Sequence, residues 1–117
     1  MSPSSHFVPA MNHSKWEELR LAMHSLGRNV PAWRIKHLGS EFVSDWDREW
    51  FHHFSVGGYA SIEWVEIKVT DPAQANLVLD ALRTIHLPVE RLPDVFKIIG
   101  HFRPGTWVDY PANVPKR

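Results

Sequence analysis

Glu41-Phe42-Val43-Ser44-Asp45-Trp46-Asp47-Arg48-Glu49-Trp50-Phe51-His52-His53-Phe54 is the stretch on which the fold turns. Read with period two, it gives two short strands, 41–46 and 49–54, joined by a tight turn at Asp47-Arg48. Read with period four, Trp46, Trp50 and Phe54 share one helix face, and Ser44 or Asp45 supplies the cap. The neighbouring segments are patterned for sheet. Upstream, Trp33, Ile35 and His37 alternate with Arg34 and Lys36. Downstream, Val65, Ile67 and Val69 alternate with Trp64, Glu66 and Lys68, and Gly57-Gly58 breaks the chain before them. The hairpin reading is therefore adopted for 41–54, with the helical one as its competitor.

Helices are expected on either side of this sheet region. Ser14 followed by Glu17 has the spacing of a capping box. Trp16, Leu19, Met23 and Leu26 then form an apolar stripe that ends at Gly27, which predicts a helix over about 15–26. Asp71-Pro72 opens a second helix, because Asp accepts from the first free N–H groups and Pro at the first position has none to lose. Leu77, Val78, Ala81, Leu82 and Ile85 supply its buried stripe, and Pro88 stops it after His86. Val95 to Phe102 reads as a strand, and Pro104-Gly105 turns the chain into a last strand, Thr106 to Tyr110. The element order is α-β-β-β-β-α-β-β. It predicts an α+β fold in which a single antiparallel or mixed sheet of about five strands carries two helices mainly on one face. Residues 14–110 form the one domain, preceded by a disordered extension over 1–13, in which Met11 is a second plausible start, and followed by a loose tail over 111–117.

Composition narrows the function classes. The 117 residues include 13 Lys and Arg against 13 Asp and Glu, so no global field draws the protein to nucleic acid or to an anionic membrane. Cysteine is absent, which excludes disulfide and thiolate chemistry. No apolar run reaches the length of a membrane span and no secretory signal opens the chain, so a cytoplasmic protein is expected. There is no phosphate-cradling glycine loop, nucleophile elbow or zincin helix, and no cofactor is implied.

What remains is an acidic, tryptophan-rich surface. Two helices cover one face of a five-stranded sheet but not both, yet the other face carries Trp64 beside Glu66, and the 41–54 hairpin has large apolar groups on both sides. Such a sheet needs a long loop, a second copy of itself or another protein to complete it. Asp45, Trp46, Asp47, Glu49, Trp50, Trp64 and Glu66 are the candidate partner-binding residues, since tryptophans anchor interfaces and acidic rims steer basic partners. The alternative is a small enzyme or ligand-binding domain that uses Asp45, Asp47, Glu49 and His52 with the tryptophans in a pocket. A third reading is a homodimer packed through its open sheet face. A metal site is disfavoured because His52 and His53 point to opposite faces of a strand.

Lys15-Trp16-Glu17-Glu18-Leu19, Ser44-Asp45-Trp46-Asp47-Arg48-Glu49-Trp50 with His53-Phe54, and Ile62-Glu63-Trp64-Val65-Glu66-Ile67 together resemble a family of short bacterial proteins of unassigned function. The resemblance covers about residues 14–110 and implies no activity. In size and α+β make-up the chain is also similar to bacterial immunity proteins, small cytoplasmic domains that block one cognate toxin. This makes an immunity-type inhibitor, masking a basic toxin, the most concrete function expected.

Overall fold

The structure is a computed structural model in which residues 7–102 are described. In chain order the elements are β1 (Val8–Pro9), α1 (His13–His24), β2 (Ala32–His37), β3 (Ile62–Lys68), α2 (Pro72–Ile85), β4 (Val89–Leu92), β5 (Val95–Ile99) and β6 (His101–Phe102), with single 3-10 turns at Gly27–Asn29 and His53–Ser55. The fold is α+β, as expected. Instead of one sheet of five strands, the described residues form two sheets: a four-stranded antiparallel sheet in the order β2-β3-β5-β4 and a two-stranded ribbon of β1 and β6. The expected strand at Thr106 to Tyr110 and the tail over 111–117 lie outside the described residues.

Each helix starts where a side chain can accept from its free N–H groups. Asp71 caps α2 as the sequence implies, accepting from the Gln74 amide at 2.8 Å, with Pro72 behind it. The helix closes on His86 in the left-handed region (φ 71°), whose N–H returns to the Leu82 carbonyl. For α1 the capping box is corrected: Asn12, not Ser14, is the cap, and its Oδ1 accepts from the Lys15 amide at 2.9 Å. Glu17 is thereby released from capping and pairs elsewhere. The segment ahead of the helix also differs from the expected extension, because Val8–Pro9 pairs with His101–Phe102 and Met11 packs on the core.

The 41–54 hairpin is the main correction. Val43 and Asp47 form isolated bridges to Lys36 and Trp33, so 43–47 runs irregularly along the free edge of β2. Asp47 and Trp33 exchange both backbone hydrogen bonds, at 2.8 and 2.9 Å, while the Ser44 amide donates to Ile35 and its hydroxyl accepts from the Ile35 amide. Beyond Asp47 the chain leaves the sheet edge and curls through the 3-10 turn, which places Trp50 and Phe54 in the core. The four-residue spacing of the aromatics thus reflects a turn that folds inward, neither a second strand nor a full helix.

Two further differences lie after α2. The expected Val95–Phe102 strand is split at Gly100, whose N–H donates to the Glu63 carbonyl and whose carbonyl accepts from Ala10, both at 2.8 Å. A Cβ there would stand 2.2 Å from the Ile62 carbonyl oxygen, so glycine lets the ribbon and the main sheet approach this closely. Strand β4 was not expected, because Glu90, Arg91 and Leu92 face solvent and only Val89 is buried. It pairs with β5 across a turn at Pro93-Asp94.

Register decides which side of the sheet is core. Trp33 opposes Ile67, Ile67 opposes Phe96, and Val65 opposes Ile98, which in turn opposes Val89. These residues are buried with Trp16, Leu19 and Met23 of α1 and Val78, Leu82 and Ile85 of α2 in one cluster. Leu77, expected in the α2 stripe, is exposed, and Gln74 is buried in its row instead. Both helices therefore serve a single face. Next to α1, Trp16, Trp33, Trp50, Phe54 and Tyr59 form an aromatic cluster with ring centroids 4.7–6.2 Å apart in tilted, stacked or edge-on pairs. The Trp50 indole N–H donates to the Pro31 carbonyl at 2.9 Å and the Trp33 N–H to the Glu49 carbonyl at 3.1 Å, so both rings are buried without stranding a donor.

Candidate binding surface

The sheet face opposite the helices is built by the alternate residues of the same strands. Arg34 lies opposite Glu66, Lys36 opposite Trp64, Glu66 opposite Lys97, and Trp64 opposite Ile99. A register shift between Lys36 and His37 lets Glu63 bulge toward Lys36, and their side chains pair at 2.6 Å. Arg34 Nε donates to Glu66 at 2.7 Å, and Glu66 is almost fully covered by its neighbours. Lys97 Nζ sits 4.7 Å above the Trp64 ring, which is half-buried. Because 43–47 follows the β2 edge with Asp47 opposite Trp33, Trp46 falls on this outer face, with Arg34 4.5 Å and Lys68 5.3 Å from its ring centroid. The outer face thus presents two tryptophans beside the paired Arg34–Glu66 and Lys36–Glu63, with Lys68 and Lys97 against the rings.

The residues singled out in the sequence are not brought together as one acidic patch. Trp46, Trp64 and Glu66 share the outer face, and Asp45 is exposed at its margin. Trp50 is corrected outright: it is 1% exposed and belongs to the core. Asp47 and Glu49 bind the backbone of their own turn. Asp47 Oδ1 accepts from the Glu49 amide at 2.7 Å, and the Glu49 carboxylate accepts from the amides of Phe51, His52 and His53. Those backbone donors, His53 first, hold the Glu49 carboxyl below its usual value, and the Asp47 carboxylate 2.9 Å from His53 Nδ1 raises the imidazole above its own. Asp45, Asp47, Glu49 and His52 line neither of the two grooves described here, and among the described residues no three His, Asp or Glu side chains are grouped to hold a metal.

Sequence reasoning missed a second polar constellation midway along α1. Arg20 donates to both oxygens of Glu17, at 2.9 and 3.2 Å, and to the Phe51 carbonyl, and the Tyr59 hydroxyl also donates to Glu17. Arg20 in the first place, then Tyr59, keep the Glu17 carboxyl low; burial and the same carboxylate push the Tyr59 hydroxyl up to about 12. The cluster ties α1 to the β2–β3 connection. Tyr59 also walls a groove of about 450 Å³ with Met11, His13, Trp16 and His101. Only the one-turn spacing of Glu17 and Arg20 was visible in advance.

Among exposed apolar groups, Phe42 (71%) and Val56 (78%) stand out on the same connection that buries Trp50 and Phe54. No described helix is long and apolar enough to cross a membrane. No curated protein and no solved structure matches the chain. Residues 2–105 match the sequence model of a family of unknown function, DUF6678, and the protein belongs to that family.

Proposed function

We propose that the protein acts by binding another protein through the sheet face opposite its helices, centred on Trp64. The observation that carries this reading is the register that sets Trp64 and Trp46 on a face to which neither helix contributes. A half-buried indole flanked by a lysine offers large area at little conformational cost and keeps a cation beside it for a partner's carboxylate.

The most concrete version is an immunity-type inhibitor that masks a cognate toxin. Its chemistry differs from an acidic lure for a basic active site. Glu63 and Glu66 are already matched by Lys36 and Arg34, and Asp47 and Glu49 are committed to their own turn, so Asp45 alone of the candidate carboxylates is free of such a role among the described residues. Aromatic contact and exchange of charge pairs, rather than bulk acidity, would hold the partner.

The test uses the products of the genes that adjoin this one, each purified and titrated against the full chain by calorimetry. Trp64→Ala and Lys97→Glu are expected to weaken the complex at least about tenfold, as for an interface anchor. Binding by no neighbour, or unchanged affinity in both variants, sinks the proposal. Sizing in solution separates the alternative in which a second copy occupies this face: a dimer that Trp64→Ala dissolves identifies self-association as the use of the surface.

A further inference from the structure

The chain has no net charge, and several cations of the described residues are matched by a nearby carboxylate: Arg20 by Glu17, Arg34 by Glu66, Lys36 by Glu63, Arg83 by Asp80. Three cations without such a match are gathered in one place. A groove of about 430 Å³ between the Gly27–Asn29 turn, the 43–48 edge segment and the start of α2 is lined by Arg28, Arg48 and Lys68, brought from three separate parts of the chain. Among the described residues none of the three has a carboxylate within ion-pairing distance. Within the same described residues the Arg28 side chain makes no hydrogen bond, the Lys68 ammonium only approaches the Trp46 ring, and Arg48 donates from Nε and Nη2 to the Val30 carbonyl, at 3.3 and 3.2 Å, with no partner for Nη1. Gathering like charges in a concavity is unfavourable unless an anion answers them.

The helix terminus does not account for the groove. Asp71 already occupies the cap of α2 and accepts from Gln74, and Pro72 has no N–H to offer. Gln74 is spent on structure: its amide nitrogen donates to the Asn29 and Val30 carbonyls, at 2.9 and 3.2 Å, and its oxygen accepts from Thr70. These bonds hold the walls in place, so the cations line a preformed shape. Among the described residues Asp71 is the one carboxylate at the rim, and it leaves their lining two positive charges in excess. Trp46 closes one side with an aromatic surface.

We propose that this groove binds the phosphate groups of a small phosphorylated ligand, with Trp46 as the platform for its ring. A polyvalent oxyanion satisfies several cations at once, and two arginine forks suit a phosphate better than a single carboxylate. The volume falls within the range of about 300–1,000 Å³ usual for small-molecule sites. The site borders the protein-binding surface and shares Trp46 with it, but Trp64 and Lys97, whose variants test that surface, do not line the groove, so either reading survives failure of the other.

Calorimetric titration of the full chain with inorganic pyrophosphate, ADP and a short single-stranded RNA, at low and raised salt, tests the proposal. Pyrophosphate or ADP is expected to bind with Kd below roughly 100 µM, an affinity within reach of a few charge-assisted contacts, and raised salt weakens it. Arg28→Gln/Lys68→Gln, which removes no hydrogen bond of the fold, is expected to reduce affinity at least about tenfold, while the thermal midpoint reports that the domain remains intact. ADP binding tighter than pyrophosphate, with the difference lost in Trp46→Leu, identifies a nucleotide; equal binding of the two identifies phosphate alone as the recognised group. Absence of heat with both small ligands up to millimolar concentration, undiminished binding in the double variant, or binding of the RNA only overturns the proposal.

Discussion

Replacing Trp50 by alanine separates a buried Trp50 from a surface one. Its ring is 1% exposed, lies 4.7 Å from Phe54 and 6.0 Å from Trp33 between centroids, and donates its N–H to the Pro31 carbonyl. Truncating a buried tryptophan costs about 3–5 kcal/mol through lost transfer energy and the cavity left behind, and the Pro31 carbonyl loses its donor as well. A domain of this size holds about 5–15 kcal/mol in total, so about a fifth or more of its stability is at stake. With a urea dependence of about 2 kcal/mol per molar, the midpoint falls by about 2 M. Trp64→Ala removes a ring of similar size from the outer face. There the loss is a cation–π contact and partial burial, about 1 kcal/mol, for a shift of about 0.5 M. Far-UV circular dichroism in urea reads both without depending on tryptophan emission, and Trp50→Phe, which keeps an aromatic ring but not the N–H, is expected to fall between wild type and alanine. A Trp50→Ala midpoint within about 0.5 M of wild type, or no lower than that of Trp64→Ala, refutes the inward turn of the 41–54 segment.

Gly100→Ala is expected to destabilise by about 3 kcal/mol or more, because its Cβ would stand 2.2 Å from a backbone oxygen that cannot rotate away; a urea midpoint near wild type would show that the two sheets do not meet there. His53 supplies a pH test. Its folded pKa is raised by Asp47, so the stabilisation is fully present below its ordinary value of 6.5 and is lost as pH rises through the folded value. The midpoint difference between wild type and His53→Gln should therefore shrink as pH increases through that window, and a difference that is constant or grows contradicts the Asp47–His53 pair.

Periodicity carried the reading where one face of an element is buried and the other is wet. β2, β3 and α2 have that character, and their alternation, three-to-four spacing and Asp-Pro entrance located them. It failed where both sides of a segment are occupied. Trp46 is drawn outward by Arg34 and Lys68 while Trp50 and Phe54 are drawn inward, so the apolar residues of 41–54 follow no single period. Strand β4 escaped for the opposite reason: a short edge strand with one buried residue leaves almost no pattern. At the cap of α1, Asn12 and Ser14 are both competent, and only the path of the preceding chain, fixed by β1 and β6, selects Asn12.

The sequence by itself determined the α+β class, the two helices and the excess of aromatic surface over what those helices can cover, because composition and spacing are local properties. The tertiary structure decided which tryptophans face out and which carboxylates are spent. Register across β2, β3 and β5 aligned Glu66 with Arg34, the bulge brought Glu63 to Lys36, and Lys97 came to lie on Trp64. It also gathered Arg28, Arg48 and Lys68, which lie up to forty residues apart in the chain, around one groove. Such pairings depend on which strands neighbour one another, and residue spacing along a chain does not encode that.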